Sequence, residues 1–135
     1  MSPPEPKFVS PPDLFAAAPY EYAAVAGGTV FTAGACPLDS TGSVVAPGDL
    51  EKQARVAVAN LRTALEAAGA DVDRLVKTTV YVVASEREDL VRAWRVVESA
   101  LAPARPPSTL LGVSFLGYPG QLVEIEGIAS IVGDT

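Results

Sequence analysis

The chain has no histidine among its 135 residues. That removes the usual general base near neutral pH, and it excludes a Ser-His-Asp triad and imidazole metal ligands. It has one cysteine, Cys36, so no intrachain disulfide can form. Charged residues are sparse at 19%, and acids outnumber bases, 16 to 10, for a net charge of −6. The few lysines and arginines are scattered along the chain. An acidic chain without a basic cluster is a poor match for nucleic acid, because phosphate neutralisation supplies most of that affinity. No apolar run approaches the ~20 residues of a membrane span. The opening "MSPPEPKFVSPPDL" lacks the apolar core of a secretory leader. These absences point to a soluble, cytoplasmic protein with no nucleic-acid or membrane partner.

What is present is apolar: 49% of residues are hydrophobic. The length suits one domain. Residues 1–13 hold five prolines and read as an extended tail, leaving 14–135 as the folded unit. Gly27-Gly28 separates two apolar runs, a two-residue hairpin signal, with strands expected near 21–26 and 29–34. The turn-rich "CPLDSTGSVVAPGD" follows as loop.

"DLEKQARVAVANLRTALEAAGA" is the clearest helix. Ala54, Ala57, Val58, Leu61, Leu65 and Ala68 recur at helical spacing, and Gly69 stops it. "LVKTTVYVV" is β-branched and reads as a central strand. A second helix is expected to open on a Ser85/Glu88 capping box and to end before Pro103. "STLLGVSFL" and "QLVEIEGIASIV" read as two further strands joined at "GYPG". The order ββ-α-β-α-ββ implies an α+β fold. It is a single mixed sheet with antiparallel pairs at both ends and two helices on one face. The other face is too rich in Val, Thr and Leu to meet water alone, and a homo-oligomer would cover it.

Four stretches, "VFTAGACPLDSTG", "QARVAVANLRTALEAAGA", "VKTTVYV" and "VEIEGIA", together resemble the Rid family (YjgF/YER057c/UK114, once labelled endoribonuclease L-PSP) over about residues 19–132. The resemblance implies a chorismate-mutase-like homotrimer with clefts between subunits. It implies cofactor-free hydrolysis of reactive enamines and imines, such as 2-aminoacrylate, to 2-keto acids and ammonia. Ribonuclease activity, the older label, fits poorly with the acidic charge and the missing histidine.

The resemblance also nominates residues. Glu124 matches the family glutamate and would orient water or carry a proton. Tyr20 in "APYEYA" matches a Pro-Tyr near the cleft, and Cys36 lies in the cleft neighbourhood as a packed thiol or, given a nearby cation or helix N-terminus, a thiolate nucleophile. Arg105 in "PAR" would clamp a substrate carboxylate through two parallel hydrogen bonds. Aligned on the strand instead of the string, Ser108 takes the arginine position and Arg105 stands three residues early. Trp94 replaces a family asparagine, and Ala33-Gly34-Ala35 replaces Ser-Gly-Gln. Two readings follow. One is a small-molecule imine hydrolase with Arg105 and Glu124 catalytic and Tyr20, Cys36, Trp94 and Ser108 around the substrate. The other is a divergent homologue with a more apolar cleft for a different ligand.

Overall fold

The computed structural model describes residues 5–131. Strands β1 (Lys7–Val9), β2 (Ala23–Ala26) and β3 (Thr29–Thr32) precede helix α1 (Leu50–Ala67). A single 3-10 turn then leads into β4 (Leu75–Val83), followed by α2 (Arg87–Leu101), β5 (Ser108–Val113) and β6 (Val123–Ser130). The six strands form one mixed sheet in the order β1-β2-β3-β6-β4-β5. Only β4 and β5, linked through α2, run parallel. Among the described residues no helix is long and apolar enough to cross a membrane.

Both helices lie on one face. Ala54, Ala57, Val58, Leu61 and Leu65 of α1, with Ala93, Val97 and Leu101 of α2, share one core with Val80, Val82, Val123, Ile125 and Ala129 of the sheet. Period-two alternation sends the remaining residues of β4 and β6 to the uncovered face. There Phe8, Ala24, Phe31 and Ile128 stand opposite one another across four strands. Phe8 is 62% and Phe31 46% exposed. The expected apolar face is therefore present and uncovered in the single chain.

Three local expectations are corrected. The proline-rich tail contains β1, which pairs antiparallel with β2. Lys7-Phe8-Val9 is a proline-free interval between Pro6 and Pro11, and an edge strand tolerates flanking prolines. The last two strands are not a hairpin. β4 lies between them, because the α2 crossover sets β5 beside β4 while the 114–122 connection carries the chain to the opposite side. The α2 cap is shifted by one residue. Glu86 is the N-cap, and the Asp89 carboxylate accepts from the backbone N–H groups of Ser85 and Glu86.

One buried polar side chain joins helix to loop. Gln53 of α1 is fully buried. Its Nε2 donates to the carbonyls of Ala46 (3.3 Å) and Gly120 (3.1 Å), and its Oε1 accepts from Leu122 N–H at 2.8 Å. This fixes the approach to β6. Gln53→Leu conserves bulk but orphans these backbone groups, and a buried unpaired group costs about 1–3 kcal/mol. Chemical denaturation should show a loss of roughly 3 kcal/mol. A loss under about 1 kcal/mol would mean the groups find other partners.

Candidate functional site

Strand β6 alternates Val123, Ile125, Gly127 and Ala129 into the core with Glu124, Glu126, Ile128 and Ser130 outward. Glu124 therefore reaches the uncovered face near the start of the strand. Its Oε1 accepts from Gln121 Nε2 at 3.0 Å and from Cys36 Sγ at 3.3 Å. Its Oε2 accepts no hydrogen bond among the described residues. The carboxylate lies against Gly34, where a Cβ would collide with it. Gly34 and Cys36 are held beside β6 because Ala35 exchanges backbone hydrogen bonds with Ile125, at 2.7 and 3.1 Å.

Gln121 is buried and makes a small clamp. Its Oε1 accepts from Tyr118 N–H at 3.2 Å, and its Nε2 also donates to Val123 O at 3.1 Å. The turn it closes presents Tyr118, whose hydroxyl is 3.1 Å from that of Tyr20. Tyr20 stands edge-on to Tyr22 with ring centroids 5.7 Å apart. Tyr22 donates to Phe15 O at 2.7 Å, which ties down the segment before β2.

The surroundings favour the protonated forms of Cys36, Tyr20 and Tyr22. Burial pushes the Cys36 thiol up to about 12, and the Glu124 charge and hydrogen bond add to the rise. Cys36 is thus a protonated donor at neutral pH, not a thiolate nucleophile. Burial, then the Tyr118 hydroxyl, pushes the Tyr20 phenol well above its ordinary value. Tyr20 also stays a donor. The adjoining cavity, lined by Phe15, Tyr20, Tyr22, Ala33, Ala35 and Cys36 among others, is only about 20 Å³. That is room for about one water molecule.

The other expected residues collect elsewhere. Ser108 begins β5 opposite Thr78, and Thr78 Oγ1 donates to Ser108 Oγ at 2.8 Å on the helix-covered side. Thr78 also lines a cavity of about 150 Å³ with Trp94, Glu98, Leu101, Arg105 and Pro106. Trp94 packs against the core as well. The register separates this group from Glu124. Glu124 lies opposite Tyr81 on β4, while Ser108 lies opposite Thr78, three residues away and across two strand spacings. That is on the order of 14 Å between backbones, on opposite sheet faces. The six nominated residues therefore form two groups: Tyr20, Cys36 and Glu124 at one, Trp94, Arg105 and Ser108 at the other.

Sequence reasoning missed Gln121, Tyr118 and the role of Gly34 as floor. Gln121 precedes β6, so strand alternation says nothing of where it points. Its sequence signal is only a lone amide in "GYPGQ". Glu126 shares the face of Glu124 but lies farther along the strand, beside Tyr81. Among the described residues no cluster of three or more His, Cys, Asp or Glu side chains could hold a metal.

Two outcomes test this geometry. Gly34→Ala should fold with little loss of stability, since a flexible side chain yields, yet it should displace the carboxylate, visible as a moved Glu124 in a crystal structure. An unmoved Glu124 would contradict the packing. Cys36 should react slowly with iodoacetamide at pH 8. Glu124→Gln removes the nearby negative charge, so the thiol pKa falls and alkylation should speed up severalfold. An unchanged rate would separate the two groups.

Comparison with known proteins agrees with this architecture. Residues 12–131 match the family model described as endoribonuclease L-PSP. A RutC family protein of Pyrococcus horikoshii is 32% identical over 111 residues, covering 82% of this chain and 86% of that protein. The mouse 2-iminobutanoate/2-iminopropanoate deaminase is 31% identical over 111 residues, covering 82% and 80% respectively. A Rid family protein of Yersinia pestis has a solved structure that matches with a TM-score of 0.84 at 28% identity, over 94% of this chain and 100% of that one. The chain belongs to the Rid family, which the matching model describes as endoribonuclease L-PSP.

Proposed function

We propose that this protein hydrolyses small imines or enamines to carbonyl compounds and ammonia, at a site completed between two copies of the chain. The observation that carries it is the Glu124 carboxylate, with one oxygen held by Gln121 and Cys36 and the other unengaged above Gly34. An imine is already electrophilic, so a positioned base and neutral donors suffice. The mouse relative named as a deaminase of 2-imino acids supports the reaction class.

In this reading Glu124 Oε2 takes a proton from water as the water oxygen bonds to the imine carbon. The C=N π electrons move to nitrogen, which takes that same proton back from the Glu124 carboxyl, giving a carbinolamine and restoring the carboxylate. Return of the hydroxyl proton to the nitrogen, through the carboxylate, forms the C=O bond and breaks the C–N bond. One imine and one water thus become one carbonyl compound and one ammonia. Tyr20 and Cys36 remain protonated donors that orient these groups. Arg105 would hold a substrate carboxylate, with Ser108 and Trp94 in the same half.

The split of these residues over two places supports assembly. The cavity beside Tyr20 and Cys36 has room for about one water, and the Arg105 cavity lies across the sheet from Glu124. A second copy would bring the β5 edge of one subunit to the Glu124 face of the next, covering the exposed row of Phe8 and Phe31. A homotrimer is the form this takes in our proposal, with no cofactor.

A second reading keeps the fold and changes the ligand. It is favoured by the Ser108 hydroxyl being committed to Thr78, with Arg105 outside the strand in the preceding loop. In that reading the protein is a divergent homologue whose more apolar cleft binds or processes another small molecule.

Freshly generated 2-aminoacrylate or 2-iminobutanoate should yield 2-keto acid and ammonia faster than buffer. Glu124→Gln should lower kcat/KM by roughly 100-fold or more, the scale of general-base loss. No rate above buffer from correctly assembled protein would remove the hydrolase reading and leave the second.

A further inference from the structure

The cavity beside Arg105 has a chemistry that the reaction alone does not explain. Of the side chains around it, Trp94, Leu101 and Pro106 are apolar, Thr78 is tied to Ser108, and Glu98 and Arg105 carry charge. Arg105 is exposed, and among the described residues its guanidinium has no carboxylate within ion-pairing distance. The cavity measures about 150 Å³. A void of about that size accommodates a benzene ring. Trp94 packs on the core and also walls the cavity, so its ring is held in place while presenting surface to an occupant. A fixed aromatic wall, an apolar floor and a cation at the mouth match a ligand that is flat or bulky and apolar at one end and anionic at the other.

We propose that Trp94 is a specificity-determining residue that selects a substrate bearing an aromatic or bulky apolar substituent next to its carboxylate, over an alanine-sized one. This rests on the reading of Arg105 as the carboxylate anchor. The guanidinium holds the acid group at the mouth, and the substituent enters between Trp94 and Leu101.

Trp94 is the single tryptophan, which makes its fluorescence a local reporter. The full chain is titrated with 3-phenylpropionate, propionate and 2-phenylethylamine. 3-Phenylpropionate should change Trp94 emission saturably, with an apparent Kd at least about tenfold below that of propionate, since even one methylene in an apolar pocket gives about tenfold. Binding of 2-phenylethylamine should be weaker still, and Arg105→Gln should weaken both acids alike. Calorimetry then separates packing from selection. Trp94→Leu, which keeps apolar bulk but no flat face, should retain propionate binding and lose most of the preference, and Trp94→Phe should restore it. If the two acids bind wild-type protein equally, the anchor stands and the selectivity is overturned. If neither acid binds, or if Arg105→Gln changes nothing, the anchor and the selectivity fall together. An undiminished preference in Trp94→Leu assigns it to other residues and overturns the role of Trp94.

Discussion

A carboxylate stands on the outward face of a strand whose other face is core, and the arrangement of the molecule turns on how it is held. Strand β6 lies between β3 and β4, so Val123 and Ile125 cannot turn without opening the core, and Glu124 is fixed outward with them. The Gln121 amide and the Cys36 thiol then orient one carboxylate oxygen. Gly34 leaves space for the other. Gln53 of α1 holds the loop that delivers Gln121. A helix residue buried in the core is thus linked, through one turn, to the proton-handling group we propose.

The same sheet explains why the other nominated residues sit apart. The α2 crossover places β5 at the outer edge, and its first residue faces the helix side. Trp94 comes from α2 and Arg105 from the loop between α2 and β5, so both follow that edge. A single chain carries the Glu124 carboxylate at one place and the cavity of Trp94 and Arg105 at another, on the opposite sheet face. The apolar row on the uncovered face supplies a reason for copies to associate. Association would unite the two halves, which ties assembly to activity in this account.

The fold was largely legible because hydrophobic period and turn chemistry are local. The α1 stripe, the Gly27-Gly28 hairpin and the outward pairing of Glu124 with Glu126 need no distant information. The order of β5 and β6 was not legible, since "GYPG" suggests a hairpin and nothing local says that β4 intervenes. Lys7–Val9 was hidden by the prolines around it. At the site, Glu124 and Tyr20 were recognised by resemblance, but Gln121 and Gly34 act through contacts between segments far apart in sequence. The displaced string at 103–105 was correctly a question of register: the structure starts β5 at Ser108 and leaves Arg105 in the loop. Arg105, in the loop before β5, lines the Trp94 cavity and does not reach Glu124 of the same chain.

Subunit mixing tests the union of the two halves most directly. Glu124→Gln and Arg105→Gln proteins, each inactive alone, are unfolded together in equal amounts and refolded. If each site takes Glu124 from one copy and Arg105 from the next, randomly mixed assemblies regain roughly a quarter of wild-type sites, because each junction needs one specific pairing. Activity near that level is what this account predicts. Mixed assemblies that stay as inactive as the parents would contradict it.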